Sequence, residues 1–301
     1  MNDNLRHQAR LMRRATYASV SVACILMAVK FTAWLMTDSV SMLATFVDSM
    51  LDGAASLVTL LAVLHASQPA DREHRFGHGK AEPLAGLMQS AFITGSAVFL
   101  FVEAGRRLYE PKPVEHGAVG LAVMALSIGL TIVLVAYQKY VVRRTESLAI
   151  AADRLHYTGD LIANVAVIAA ILIAAQPRWQ WVDSAIGACI AVYIVINAVE
   201  ILRQSLDQLM DREFPDAERA RIRELVLAHP EITAMHDLRT RRSGRHAFIQ
   251  FHIEMDGGMT LEEAHQISDA VEAEVLAAFP EAEVLVHQDP AGVDEKRAIF
   301  A

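Results

Sequence analysis

Six apolar stretches, each of about 20 residues or more, lie before residue 206, and none follows it. They fall near residues 15–36, 40–66, 85–106, 117–140, 149–175 and 182–203. An apolar helix of roughly 20 residues spans a bilayer's hydrocarbon core, and a helix satisfies every backbone polar group where water is missing. The sequence therefore predicts an all-α six-helix transmembrane bundle over residues 1–206, followed by a separate domain over 207–301. Hydrophobic residues make up 53% of the chain, as that division requires.

Charge divides along the same line. From residue 207 onward there are 20 Asp/Glu against 10 Lys/Arg, whereas the apolar part is mildly basic. An acidic tail argues against nucleic-acid binding, which needs a basic footprint, and suits cations. Short loops rich in Lys and Arg stay on the cytoplasmic side. Arg6, Arg10, Arg13 and Arg14 precede the first span; Arg72, Arg75 and Lys80 follow the second; Lys139, Arg143, Arg144 and Arg154 lie between the fourth and fifth. The opposite side has chiefly Arg106, Arg107, Lys112 and Arg178. Both termini are thus expected in the cytoplasm. The basic N-terminus resembles a signal peptide, but the first span is too long for an h-region and carries Lys30, so a retained helix is expected. Cys24 and Cys189 both fall within spans, which points to neither a disulfide nor a thiolate metal site.

The tail reads as a cytoplasmic α+β domain in the order α-β-β-α-β, a ferredoxin-like or metallochaperone-like layer. Asp216 is placed to cap a first helix. Strands follow around 235–241 and 247–255, with a turn at Ser243-Gly244. Ile249, Phe251, Ile253 and Met255 alternate with Gln250, His252 and Glu254, the period-2 pattern of a half-buried strand. Thr260 and Glu263 form a capping box for a helix reaching about Phe279, and EVLVHQD is the last strand.

Charges occur where a membrane disfavours them. The second span contains Asp48 and Asp52, the fifth His156 and Asp160, and residues four apart share a helical face. Each intramembrane carboxylate costs about 2.5–3.5 kcal/mol on insertion scales. Lys30 could neutralise one of them. Two i,i+4 pairs in different spans are better explained by a shared divalent cation. Three carboxylates and an imidazole suit the tetrahedral oxygen and nitrogen shell of Zn²⁺, and Fe²⁺ or Cd²⁺ use overlapping ligand types.

Asp71, His74 and His78, in a glycine-containing connection, form a second possible site, though such a loop is more often solvated surface. In the tail His236, His252 and His287 stand on or near strands expected to be neighbours, with His287 and Asp289 on one face, and His265 sits early in the second helix. His7, His65, His116, His229 and His246 have no such partners and receive no role.

The segments DSMLD, FGHGKAE, HYTGD, HDLRTR and VHQDP, in that order along about residues 12–290, resemble the cation diffusion facilitator family, most closely its bacterial ferrous-iron/zinc efflux branch. That resemblance implies a homodimer in the bacterial inner membrane, exporting Zn²⁺ or related metals in exchange for protons. It implies a transport site at Asp48, Asp52, His156 and Asp160, and a loop site at Asp71, His74 and His78. It further implies a two-metal cytoplasmic site at His236, His252, His265, His287 and Asp289, with the Asp bridging. An interprotomer charge interlock falls on Lys80 and Asp211.

Because metal ligands must be deprotonated, cation binding expels protons and protons compete the cation off. His156 is the expected proton carrier, since an imidazole titrates near pH of about 6.5. The tail sites suggest regulation. Competing readings are a passive divalent cation channel, whose flux would ignore a pH gradient, and a membrane-anchored metal sensor, which would leave the intramembrane pairs without purpose. A metalloprotease would need a motif such as His-Glu-x-x-His, which the sequence lacks, so no enzyme activity is expected.

Overall fold

The computed structural model describes residues 3–38, 40–109, 118–173 and 180–293. Lys112, His116 and Arg178 lie outside them. The chain divides into two compact units, Met1–Asp207 and Gln208–Ala301.

Among the described residues, six helices build the first unit: α1 (Asp3–Thr37), α2 (Val40–Ala66), α3 (Ala81–Tyr109), α4 (Ala118–Thr145), α5 (Leu148–Ile173) and α6 (Gln180–Leu209). Among the described residues, five of them (α1, α2, α3, α4 and α6) carry stretches long and apolar enough to cross a membrane. The helices outrun the apolar stretches because helical hydrogen bonding continues through the polar residues that flank them. Phe99, Val133 and Ile196 are exposed on these helices, a placement that costs little against lipid and much against water. Inside, Met12, Ala15, Val63, Ala85, Val141, Ala149 and Ile150 join α1–α5 at one end. Ile93, Ala97, Leu155, Ile194 and Ala198 join α3, α5 and α6. Gly159 packs closely against α6: a Cβ there would sit 3.1 Å from Ile194 Cδ1, which would have to shift by a few tenths of an ångström.

A buried polar network crosses four helices within this apolar packing. The Asp153 carboxylate on α5 accepts from Ser56 Oγ of α2 at 3.2 Å and from Gln138 Nε2 of α4 at 2.7 Å. Gln138 Nε2 also reaches Ser19 Oγ of α1 at 3.0 Å, and Tyr157 Oη lies 2.9 Å from Ser56 Oγ. Buried polar groups are tolerated when bonded, and here the bonds tie α2 to α5 one turn from Asp52 and beside His156.

The second unit contains α7 (Asp216–Leu227), β1 (Ala234–Ser243), β2 (His246–Met255), α8 (Leu261–Ala278) and β3 (Ala282–Pro290). The expected α-β-β-α-β order holds. The sheet order is β1-β2-β3, with β1–β2 antiparallel and β2–β3 parallel. Ile249, Phe251, Ile253 and Met255 pack with Ile222 and Val226 of α7 and Val271 and Val275 of α8. The capping box at Thr260 and Glu263 is formed in both directions. Asp216 does not cap α7. Pro215 holds that position without a side-chain bond, and Asp216 is the first helical residue, 3.4 Å from Arg219.

Candidate metal sites

Helices α2 and α5 bring three of the four intramembrane residues together. His156 Nε2 lies 2.8 Å from Asp52 Oδ1 and 3.6 Å from Asp160 Oδ2. One donor atom from each of the three falls within 4.8 Å of the others. Small side-chain rotations would bring such donors to the about 2.0–2.2 Å bonds that Zn²⁺ makes with nitrogen and oxygen. Asp48 stands apart from this cluster. It sits one turn along α2 from Asp52 with its side chain exposed, yet close enough to interact electrostatically with Asp52, Lys30 and His156. Lys30 itself donates to Ser49 Oγ at 2.6 Å.

The connection from α2 to α3 folds around Asp71. Its Oδ1 accepts the backbone N–H groups of Glu73 at 2.9 Å and His74 at 2.6 Å. Those two bonds, His74's foremost, hold the Asp71 carboxyl below its usual range. Gly77, at φ 77°, supplies the left-handed turn that carries the chain back, a conformation glycine adopts without steric cost. His74 Nδ1 and His78 Nε2 each end 3.3 Å from Asp71, so the three form a second cluster.

In the tail, pairing places His252 opposite His236 on one side and His287 on the other. Strand alternation sends these histidines to the face away from the helices, as Gln288 confirms by reaching Ser268 of α8 at 2.7 Å. Asp289 completes the group. Its Oδ2 lies 2.8 Å from His252 Nδ1 and 3.2 Å from His236 Nε2, while Oδ1 lies 3.1 Å from His287 Nε2. One carboxylate thus addresses two donor groups through separate oxygens. His236 has Glu254 at 3.2 Å and Asp289 at 3.2 Å, but neither nitrogen is angled to bond, and both are buried.

A bulge between His236 and Arg239 creates this arrangement. Met235 and Leu238 both pack on the core, which strict alternation would forbid. Asp237, at φ 48°, absorbs the extra residue. His265 is not part of the cluster. It sits on α8, on the other side of the sheet, 3.5 Å from Asp269. Lys80 lies just before α3 in the first unit; Asp211, at φ 56°, lies in the second and meets Arg241 at 3.5 Å.

Sequence reading missed the network of Ser19, Ser56, Gln138, Asp153 and Tyr157. Asp153, three residues before His156 in an apolar helix, was the available signal.

Apolar helices around an Asp/His cluster, joined to a small domain with a second such cluster, define a polytopic membrane protein built to hold cations. Residues 16–210 match the sequence model of the cation efflux transmembrane domain, and residues 214–291 match that of the cation efflux protein cytoplasmic domain. The chain belongs to the cation efflux family. It is 45% identical to the cation-efflux pump FieF of Shewanella oneidensis over 283 residues, covering 94% of this chain and 95% of that one. It is 46% identical to the FieF pump of Serratia proteamaculans over 288 residues, covering 95% of each. Among solved structures it is similar to the metal-bound C-terminal domain of the CzcD transporter from Thermotoga maritima. That likeness is at 30% identity and TM-score 0.26, covering 26% of this chain and 93% of that domain. The protein is accordingly a cation efflux transporter, with a helical membrane region and a C-terminal cytoplasmic domain.

Proposed function

We propose that this chain is a proton-coupled antiporter that exports divalent transition-metal cations from the cytoplasm by alternating access, with Zn²⁺ the first candidate and Fe²⁺ and Cd²⁺ also accepted. The carrying observation is the approach of Asp52 from α2 to His156 and Asp160 from α5. Asp48 is the fourth ligand, drawn from its exposed position on α2 by rotation toward the ion. Binding requires these groups to be deprotonated, so cation and protons exclude one another at a single site. Exposing that site alternately to the two faces would convert the competition into exchange.

The tail cluster lies outside the membrane and acts as a regulator. Its Asp289 would bridge two ions, one held with His236 and His252 and the other with His287. The match of the tail to the cation efflux protein cytoplasmic domain, a dimerisation domain, supports pairing of two copies of the chain. A homodimer in the bacterial inner membrane, with both termini cytoplasmic and Lys80 and Asp211 interlocking the protomers, fits that assignment. The protein has no enzymatic role in this reading.

Metal uptake into inverted vesicles, with and without an imposed proton gradient, tests the proposal across a panel of cations. Uptake should rise with an acidic lumen and should drive proton release, and Asp160→Ala should abolish both. Flux indifferent to the gradient would favour a channel, and wild-type coupling in Asp160→Ala would overturn the site assignment.

A further inference from the structure

His65 occupies the last turn of α2, and its ring stands edge-on to that of His78 with 4.6 Å between centroids. His74 lies against His78 at the same 4.6 Å spacing. Asp71 is 3.3 Å from both His74 Nδ1 and His78 Nε2. His78 is therefore the centre of a group of three imidazoles and a carboxylate. Its side chain is only 4% exposed, and its Nδ1 is buried without a hydrogen-bond partner. A ring nitrogen shut off from water and left unbonded is unfavourable, and Nδ1 is engaged when it, rather than the Nε2 that now faces Asp71, turns to become the ligating atom. Zn²⁺-class cations take four ligands in a closed site. Asp71, His74 and His78 supply three. His65 is exposed, so its ring is free to turn a nitrogen toward the other three without disturbing packed neighbours.

Resting on the reading of Asp71, His74 and His78 as metal ligands, we propose that His65 is the fourth, making the loop site a closed tetrahedral site with three nitrogens and one oxygen. The ion would fasten the connection over residues 67–80 to the end of α2. Four protein ligands leave no open position for exchange with solvent. The site would then hold a resident ion that braces the connection, while cargo passes through the Asp52–His156–Asp160 cluster.

The test uses the full chain in detergent carrying Asp160→Ala and Asp289→Ala, which disable the other two clusters. Co²⁺ is titrated in while its visible ligand-field bands are followed. The parent should show tetrahedral bands, and His78→Ala should remove them. If His78→Ala changes nothing, the loop-site reading itself fails. His65→Ala should weaken Co²⁺ binding by roughly tenfold or more, since even outer-shell losses cost 10–100-fold, and should shift the bands. His65→Cys should restore binding and add a thiolate-to-Co²⁺ charge-transfer band, a signature that no packing role produces. Bands lost in His78→Ala but unchanged in His65→Ala, with no new band in His65→Cys, would overturn the proposal and leave the fourth position to water.

Discussion

The Asp52 carboxylate and the His156 imidazole, 104 residues apart in the chain, meet at 2.8 Å between α2 and α5. Neither helix could close that distance alone. α2 brings Ser56 one turn beyond Asp52, and Ser56 bonds Asp153, three residues before His156. The two helices are thus pinned beside the place where their ionisable groups converge.

Breaking that convergence should stop transport without unfolding the bundle. Asp52→Asn keeps the shape of the side chain but removes the charge that a cation requires. Uptake of Zn²⁺ into inverted vesicles should fall by at least about tenfold, with unchanged circular dichroism. Retained uptake would place the cargo elsewhere.

The buried network makes its own prediction. Gln138→Leu leaves an oxygen of Asp153 without its donor, and an orphaned buried acceptor costs about 1–3 kcal/mol. Thermal unfolding of the detergent-solubilised protein should occur at lower temperature. Thr32→Ala, which removes an exposed bond to the carbonyl of Ala28, should leave the melting temperature nearly unchanged. Equal melting of both variants would mean the network contributes nothing.

In the tail, His252 stands between His236 and His287 and touches Asp289. His252→Ala should flatten the dependence of transport on cytoplasmic metal while leaving residual flux. Complete loss of transport in a folded His252→Ala protein would show the cluster to be obligatory rather than regulatory.

The α8 cap gives a pH prediction. Glu263 accepts from the backbone N–H and the hydroxyl of Thr260, and the backbone bond, the larger influence, lowers its pKa from the usual carboxylate range. A carboxyl whose pKa is depressed on folding contributes stability above its unfolded pKa and loses it as pH falls through the folded one. The protection of the amides in the first turn of α8, the ratio of their intrinsic to their observed exchange rate, should therefore fall on acidification below the usual carboxylate range. Thr260→Ala should speed exchange already at neutral pH, by the equivalent of about 0.5–2 kcal/mol. Protection that does not change with pH in that range would remove Glu263 from the cap.

Much of this was legible because the signals are local. Apolar runs gave the helices of the membrane unit, alternation gave β2, and i,i+4 spacing gave the ligand pairs on α2 and α5. Distant relationships were not legible. Ser56 meets Asp153 across 97 residues, and Gln138 reaches Ser19 across 119. Asp153 alone carries a signal, a carboxylate within an apolar helix, and even that does not say which residues it meets. His65 went unassigned for the same reason: its neighbour His78 lies across a helix end and a turn. His265 was expected on the helix where it lies, but its grouping with the strand histidines came from the resemblance, and the sequence did not show that α8 packs on the opposite face of the sheet.

Strict alternation along β1 would send His236 to the apolar side with Leu238 and Thr240. The bulge shifts the parity, and it rests on one residue, Asp237, tolerating a left-handed backbone. Aspartate does so more readily than β-branched residues. A relative could therefore keep every histidine and still lose the tail's grip on metal by placing valine or isoleucine at that position, so that reading its ligands alone would misjudge it.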